Sequence, residues 1–174
     1  MKTLPSILAA LLAFAAPAFA DKKDKDKEEA TVPDVTVDKV VFPAEVVNGV
    51  AFDKAAIAGK VLVVEEWGVN CAPCIASLPD MAKLAKRFEK KGLVVVGLER
   101  QGSSKEDILK AIKPSRLAYP IFAGGSSGVT SNGIPHACVF GTDGKLIWHG
   151  HPADDKFEDA VKDALKGVKA VASN

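Results

Sequence analysis

Two of the three cysteines of this chain lie close together in the segment WGVNCAPC, residues 67–74. Cys71 and Cys74 are separated by two residues, one of which is Pro73. Cysteines at this spacing can form a disulfide and pass it to another dithiol through a mixed disulfide. Half of a metal site and a structural disulfide are the alternatives. A structural bridge would close a very short loop and constrain the unfolded chain little, so we expect a redox pair.

The pair stands between a predicted strand and a predicted helix. The compact apolar run at residues 61–64 favours a strand buried on both faces. Apolar residues spaced three and four apart from Leu78 to Phe88 predict the helix. A helix start presents free N–H groups and partial positive charge, which favour a thiolate. We therefore predict a lowered pKa for Cys71, which attacks first, and a more buried Cys74 that acts second.

The rest of the pattern is of the α/β type. It predicts a mixed sheet covered by helices on both faces, with a right-handed parallel crossover in the first half. The dipeptide Asn48-Gly49 predicts a hairpin, which would be an N-terminal β-hairpin extension. Ser103 and Glu106 form a capping-box pair for a helix whose residues Ile108, Leu109 and Ile112 point inward. Further strands are expected at residues 93–98, 119–122, 137–140 and 146–148, and a last helix at about 154–166.

The N-terminus predicts export. Residues 1–20 combine Lys2, an apolar run and a small-residue ending, which is the pattern of a signal peptide cleaved before Asp21. A charged linker is expected at residues 21–34 and the folded domain at residues 35–170. A periplasmic or extracellular location follows, and disulfides persist there. The formal net charge of +1 gives no basic excess that would indicate nucleic acid binding.

Several features in order resemble the thioredoxin superfamily, and within it the exported TlpA/ResA-like thiol-disulfide oxidoreductases. They are VLVVEEWGVNCAPC at residues 61–74, Pro79 in the helix, Gly133-Ile134-Pro135 before a strand, and Asp143-Gly144-Lys145 in a hairpin. The resemblance covers roughly residues 35–168 and implies a thioredoxin-like fold. It also implies that Pro135 is cis, faces the cysteines and holds a substrate strand beside Cys71. Trp67 and Ile134 are expected to help bind that substrate.

The resemblance also assigns an acid to the site, and this chain departs from the family around it. Glu65 occupies the position of a buried acid that would take a proton from Cys74, with a pKa raised by desolvation. Glu66 stands where relatives are apolar, and adjacent strand residues point to opposite faces, so only one of the two can lie under the cysteines. Asn70 replaces an aromatic residue and is expected to bind substrate.

Histidines and the third cysteine complete the candidates. His136 follows Pro135 and is expected in the substrate groove, although with Cys71 and Cys74 it would also suit copper or zinc. We interpret Cys138 as a small buried apolar residue and His149 and His151 as surface residues.

The predicted function is therefore an exported, monomeric thiol-disulfide oxidoreductase without a cofactor. It would reduce protein disulfides with electrons from a membrane thiol transporter, as the resemblance implies. A copper or zinc carrier is the alternative. A peroxidase is less favoured, because the pattern around Cys71 lacks threonine and arginine partners.

Overall fold

The computed structural model describes residues 32–169, so the predicted signal peptide and most of the predicted linker lie outside the described residues. Within that range no helix is long and apolar enough to cross a membrane. The same range contains five strands and three α-helices. In chain order they are β1 (Val61–Trp67), α1 (Ala72–Phe88), β2 (Leu93–Glu99), α2 (Lys105–Ile112), β3 (Ile121–Ala123), β4 (His136–Phe140), β5 (Leu146–Gly150) and α3 (Asp155–Leu165).

The five strands form one mixed sheet in the order β3-β2-β1-β4-β5, which confirms the predicted sheet type. Strands β1, β2 and β3 run parallel, whereas β4 is antiparallel to β1 and β5 is antiparallel to β4. Because β1 has a neighbour on each edge and a packed layer on each face, all seven of its residues are buried. The cysteine motif follows directly from the carboxyl end of this central strand.

The layers on the sheet differ from the expected ones. Side chains from α1, α2 and α3 all join one core, on the face of β1 that carries Val61, Val63 and Trp67. The chain moves from β1 to β2 to β3 in one direction across the sheet, and right-handed crossovers then put α1 and α2 on the same face. The other face is covered by 3₁₀ turns at Val37–Lys39 and Lys54–Ile57 and by neighbouring loops.

The prediction of a β-hairpin at Asn48-Gly49 is wrong. Val46 makes one isolated β-bridge to Phe122 instead. The Asn48 side chain forms hydrogen bonds with the backbone at the start of β3. Its Nδ2 donates to the carbonyl of Tyr119 at 2.9 Å, and its Oδ1 accepts the N–H of Ile121 at 3.1 Å. Asn48 therefore ties the N-terminal segment to the edge of the sheet, a long-range use that a local turn signal does not reveal.

The start of α2 is shifted by one residue from the predicted capping box. Ser104 is the N-cap, and its Oγ accepts the N–H of Asp107 at 3.1 Å. Ser103 faces Glu99 instead. Ile108 and Ile112 are buried as expected, whereas Leu109 is 39% exposed, because α2 covers the edge of the sheet with a narrow stripe.

Candidate redox site

Cys71 and Cys74 form a disulfide with their Cα atoms 5.2 Å apart. Cys71 is the N-cap of α1, and its Sγ accepts the backbone N–H of Cys74 at 3.3 Å. Pro73 lies in the first turn of the helix, where backbone N–H groups have no partner within the helix, so its missing N–H costs no hydrogen bond. Cys71 keeps 9% of its surface exposed and Cys74 none, so Cys71 carries the sulfur that a partner molecule can reach.

The segment before β4 closes over the exposed sulfur. The Ile134–Pro135 peptide bond is cis, as the resemblance implies. The carbonyl oxygen of Ile134 lies 3.7 Å from Cys71 Sγ. Ile134 is half-buried against the helix-side core, and Pro135 is buried. Two residues that are 63 positions apart in sequence, Cys71 and Ile134, therefore meet at this sulfur.

The loop that leads into Cys71 is held by the loop that follows β2. The carboxylate of Glu99, which is fully buried, accepts the N–H of Val69 at 3.4 Å and the hydroxyl of Ser103 at 2.9 Å. Asn70, which is exposed beside Cys71, donates its backbone N–H to Gln101 Oε1 at 2.7 Å. These bonds fix the backbone immediately before the helix start and hence the position of Cys71.

Glu65 lies on the same face of the sheet as the cysteines and is fully buried. Tyr119 donates its hydroxyl to Glu65 Oε2 at 3.1 Å. Ser77 Oγ lies 3.4 Å from Glu65 Oε1 and 2.8 Å from the carbonyl of Cys74, which places Glu65 next to the first turns of α1. Burial raises the pKa of Glu65 to about 7, against the lowering effect of the bonds from Tyr119 and Ser77. A carboxyl with this pKa can gain or lose a proton at neutral pH.

Glu66 points to the opposite face, as strand alternation requires. Its Oε1 accepts the backbone N–H of Ser127 at 2.8 Å, its Oε2 lies 3.4 Å from His136 Nδ1, and Arg100 Nε lies 3.8 Å away. Burial acts to raise the pKa of Glu66, but the bonds from His136 and Ser127 outweigh it, so that its pKa lies below the usual range. Glu66 is therefore a carboxylate that is held by hydrogen bonds on the face of the sheet away from the cysteines.

Trp67 is fully buried in the core between sheet and helices, and this burial leaves no surface for the substrate contact that was expected of it. Its Nε1 has no hydrogen-bond partner within the described chain. The ring packs near Gly97 of β2, where an added Cβ would come within 2.6 Å of Ile121 Cδ1 and 3.2 Å of Trp67 Nε1. Gly97 thus leaves the space that Trp67 and Ile121 fill beneath the cysteine helix.

His136 does not lie with the cysteines. It is buried on the Glu66 face, where its Nε2 lies 3.2 Å from His149 Nδ1. Pro135 and His136 are neighbours in sequence, but the alternation of β4 turns the histidine away. No three His, Cys, Asp or Glu side chains gather as a metal site anywhere in residues 32–169. The geometry therefore supports neither a metal site of Cys71, Cys74 and His136 nor a place for the His136 side chain in a substrate groove.

The remaining cysteine and histidines divide between core and surface. Cys138 is fully buried, and burial raises the pKa of its thiol to about 12, which makes it a small core residue as predicted. His149 is half-buried against His136, which differs from the surface position expected, and both burial and His136 lower its pKa. His151 is exposed as predicted.

A surface groove of about 870 Å³ begins at the cysteine motif and runs between α1 and α3. Pro73 and Ser77 line the end near the disulfide, and Met81 and Phe157 contribute apolar surface farther along. The segment His151–Pro152 after β5 forms part of the opposite wall.

Sequence reasoning missed four residues that contact the site. Tyr119, Ser77 and Gln101 gave no signal, because each reaches the site through a contact with another element of the fold. Glu99 did carry a signal, since it is an acidic residue at the end of an apolar strand.

The fold and the site together define a thioredoxin-like protein with a Cys-x-x-Cys pair at a helix start. Residues 29–133 match the AhpC/TSA family, and the chain belongs to that family. One solved structure with the same fold is a thiol:disulfide interchange protein of Chlorobium tepidum (23% identity, TM-score 0.64), with 78% of this chain and 99% of that chain covered. A secreted disulfide oxidoreductase of Mycobacterium tuberculosis also shares it (17% identity, TM-score 0.54), with coverage of 73% and 93%.

Sequence relatives match over shorter stretches. Thiol-disulfide oxidoreductase ResA of Bacillus subtilis is 29% identical over 80 residues, which are 46% of this chain and 44% of ResA. NHL repeat-containing protein 2 of Gallus gallus is 29% identical over 104 residues, which are 59% of this chain and 14% of that protein. The chain therefore spans less than half the length of these relatives.

Proposed function

We propose that this protein is an exported thiol-disulfide oxidoreductase that reduces disulfides in other proteins through Cys71 and Cys74. The observation that carries the proposal is the position of the pair. The reachable sulfur of Cys71 lies at the start of α1 beside the Ile134 carbonyl, and Cys74 is already within bonding distance of it. The likeness to ResA, which is named as a thiol-disulfide oxidoreductase, supports the same chemistry.

The reaction has two exchange steps. The Cys71 thiolate attacks one sulfur of the substrate disulfide, a bond forms between them, and the other substrate sulfur leaves as a thiolate and takes up a proton. Cys74 then gives its proton to Glu65 and attacks Cys71. The bond from Cys71 to the substrate breaks, the Cys71–Cys74 disulfide forms, and the second substrate sulfur leaves. The substrate gains two electrons and the cysteine pair loses two.

The residues around the pair have distinct roles in this proposal. Ile134 and Pro135 present backbone to the substrate strand, because they lie against Cys71 and precede the first residue of β4. Asn70 is exposed next to Cys71 and would contact the substrate directly. Trp67 and His136 are buried, so we assign them to packing and anchoring of the site rather than to contact with a substrate.

The setting of the reaction also belongs to the proposal. The N-terminal pattern supports export, processing before Asp21, and a charged linker ahead of the domain at residues 35–170. Outside the cytoplasm the pair needs a supply of electrons, and a membrane thiol transporter would provide it. We propose that the protein works as a monomer.

A redox titration of the pair tests the function. The protein is equilibrated in graded dithiol/disulfide buffers, the thiols are trapped by alkylation, and the states of Cys71 and Cys74 are read by mass spectrometry. A two-electron transition near or below about −230 mV is expected for a reductase, whereas one near about −120 mV would indicate an oxidant. Cys138→Ser is the matched control and should show the same transition. A pair without a reversible transition would refute the oxidoreductase.

A trapping experiment tests the order of the two cysteines. Cys74→Ser removes the resolving thiol and should accumulate mixed disulfides between Cys71 and substrate proteins. Cys71→Ser should accumulate none, because Cys74 has no exposed surface. Equal trapping by both variants would contradict the assignment of Cys71 as the attacking residue.

A further inference from the structure

The hydroxyl of Tyr119 lies within hydrogen-bonding distance of Glu65, the buried acid of the site. Tyr119 is the single tyrosine of the chain and is 4% exposed. It precedes β3 by two residues, and its backbone carbonyl accepts the hydrogen bond from Asn48 Nδ2 at 2.9 Å. The backbone of Tyr119 is thus held by the N-terminal segment of the chain, and its hydroxyl reaches Glu65 Oε2 at 3.1 Å.

Tyr119 is the firmer of the two donors to Glu65. Ser77 is the other, at 3.4 Å from Oε1, but its Oγ lies closer to the carbonyl of Cys74, at 2.8 Å. A hydroxyl has one proton to donate, and the shorter contact takes it. Tyr119 has no such competing acceptor among the hydrogen bonds of the described residues.

The other elements around Glu65 offer no charge to replace this bond. The residue opposite Glu65 on β2 is Gly97, and the residue opposite on β4 is Ala137. From α1, Ser77 contacts Glu65, and the neighbouring acid Glu66 points to the far face. Within residues 32–169, the pKa of Glu65 responds to burial and to the two hydroxyl groups and to no cation.

We propose that Tyr119 is a positioning residue for the proton step of this site: its hydroxyl holds one oxygen of Glu65 and stabilises the ionised carboxyl that accepts the proton of Cys74. The inference rests on the proposed function. Burial and the nearby Glu65 raise the pKa of Tyr119 well above its usual value, so the phenol stays protonated and remains a donor at every pH at which the protein works. Without the hydroxyl, the carboxylate would have only Ser77, and its pKa would rise.

A spectroscopic experiment tests the contact without any catalysis. The protein is labelled with ¹³C at tyrosine Cζ, which gives one signal because the chain has one tyrosine. In the oxidised protein the cysteine pair does not titrate, so the signal should shift with an inflection near pH 7 as Glu65 ionises. The inflection should vanish in Glu65→Gln. A signal that does not change between pH 5 and 9, or an inflection that persists in Glu65→Gln, would overturn the proposal.

A kinetic experiment tests the role. Reduced protein is mixed with oxidised glutathione, the reaction is quenched with acid, and the decay of the mixed disulfide on Cys71 reports the step in which Cys74 attacks. Tyr119→Phe keeps the ring and removes the hydroxyl. We expect the midpoint of the rise of this rate with pH to shift upward by about one pH unit, so that the rate at neutral pH is about tenfold lower. At alkaline pH the rate should recover. Ser77→Ala, which removes the weaker contact, should shift the profile less.

The two proposals can fail separately. A wild-type protein that forms no mixed disulfide and releases no reduced glutathione would refute the oxidoreductase, while the tyrosine signal would still decide whether Tyr119 senses Glu65. A wild-type protein that exchanges normally, together with a Tyr119→Phe profile that superimposes on it, would refute the role of Tyr119 and leave the function intact. A Tyr119→Phe rate that is lower by the same factor at every pH would also refute it, because that result indicates a merely structural effect.

Discussion

Glu65→Gln should change how the stability of the protein depends on pH. Glu65 is fully buried, and its pKa is raised from 4.5 to about 7 because burial penalises the charged form. In the unfolded chain the same carboxyl is solvated and ionises in its ordinary range. Between these two pKa values the folded protein holds a proton that the unfolded chain has lost.

The sign and size follow from this difference. Because the folded state binds more protons in this window, the free energy of unfolding falls as the pH rises from 4.5 towards 7. The stability is fully present below the unfolded pKa and is lost once the pH passes the folded pKa. A shift from 4.5 to about 7 corresponds to a loss of about 3 kcal/mol, at roughly 1.4 kcal/mol per unit. Glutamine keeps the shape and does not titrate, so the variant should lack this loss.

Urea unfolding of the oxidised protein at several pH values between 4 and 8 measures the effect. The disulfide stays closed, so the cysteine pair does not contribute. We expect the stability of Glu65→Gln relative to wild type to increase by about 3 kcal/mol from the acid to the alkaline end. Glu106→Gln, which changes an exposed carboxyl on α2, is the control and should give a curve parallel to wild type. Parallel curves for wild type and Glu65→Gln would refute the reasoning.

Two further predictions concern the far face of the sheet. In the reduced native protein, iodoacetamide should modify Cys71, whereas Cys74 and Cys138 should react only in denaturant, because both are fully buried and burial raises the pKa of the Cys138 thiol to about 12; a Cys138 adduct in mass spectrometry of the native protein would contradict this. Glu66→Ala removes the acceptor of a buried N–H of Ser127 and should lower the free energy of unfolding by about 1–3 kcal/mol. Urea unfolding measures this loss of stability, with Glu106→Ala as the control. Equal unfolding midpoints for the two variants would contradict a stabilising role for the hydrogen bonds of Glu66.

The parts of the site that could be predicted are those with a local signal. The cysteine spacing, the apolar strand before it and the periodic helix after it lie in one continuous segment, so their arrangement follows from secondary structure alone. The burial of Glu65 came from the resemblance, because the predicted buried strand covered only residues 61–64. The cis form of Pro135 came from the resemblance and not from local physics.

The parts that could not be predicted depend on register and on distant contacts. His136 was expected near the cysteines because it follows Pro135, which was expected to face them. Adjacent strand residues point to opposite faces, however, and the sequence does not say which residue of the Ile134–His136 segment is the first in β4. Asn48 was interpreted as a turn residue, whereas its amide binds the backbone around Tyr119 from 71 residues away. The bond from Tyr119 to Glu65 spans 54 residues and leaves no local pattern.

The adjacent acids Glu65 and Glu66 show how burial and the bonding partners together decide the charge of a carboxyl. Both are almost fully buried, and alternation along β1 sends them to opposite faces. Glu66 meets a backbone N–H, a histidine and an arginine, and these partners keep it ionised. Burial penalises the charged form of Glu65, and its two neutral hydroxyl partners supply no positive charge against that penalty, so its pKa is raised to about 7. The neutral partners therefore suit the acid that must exchange a proton with Cys74, and a cation at the position of Tyr119 would fix Glu65 in its ionised form and leave it a weak base.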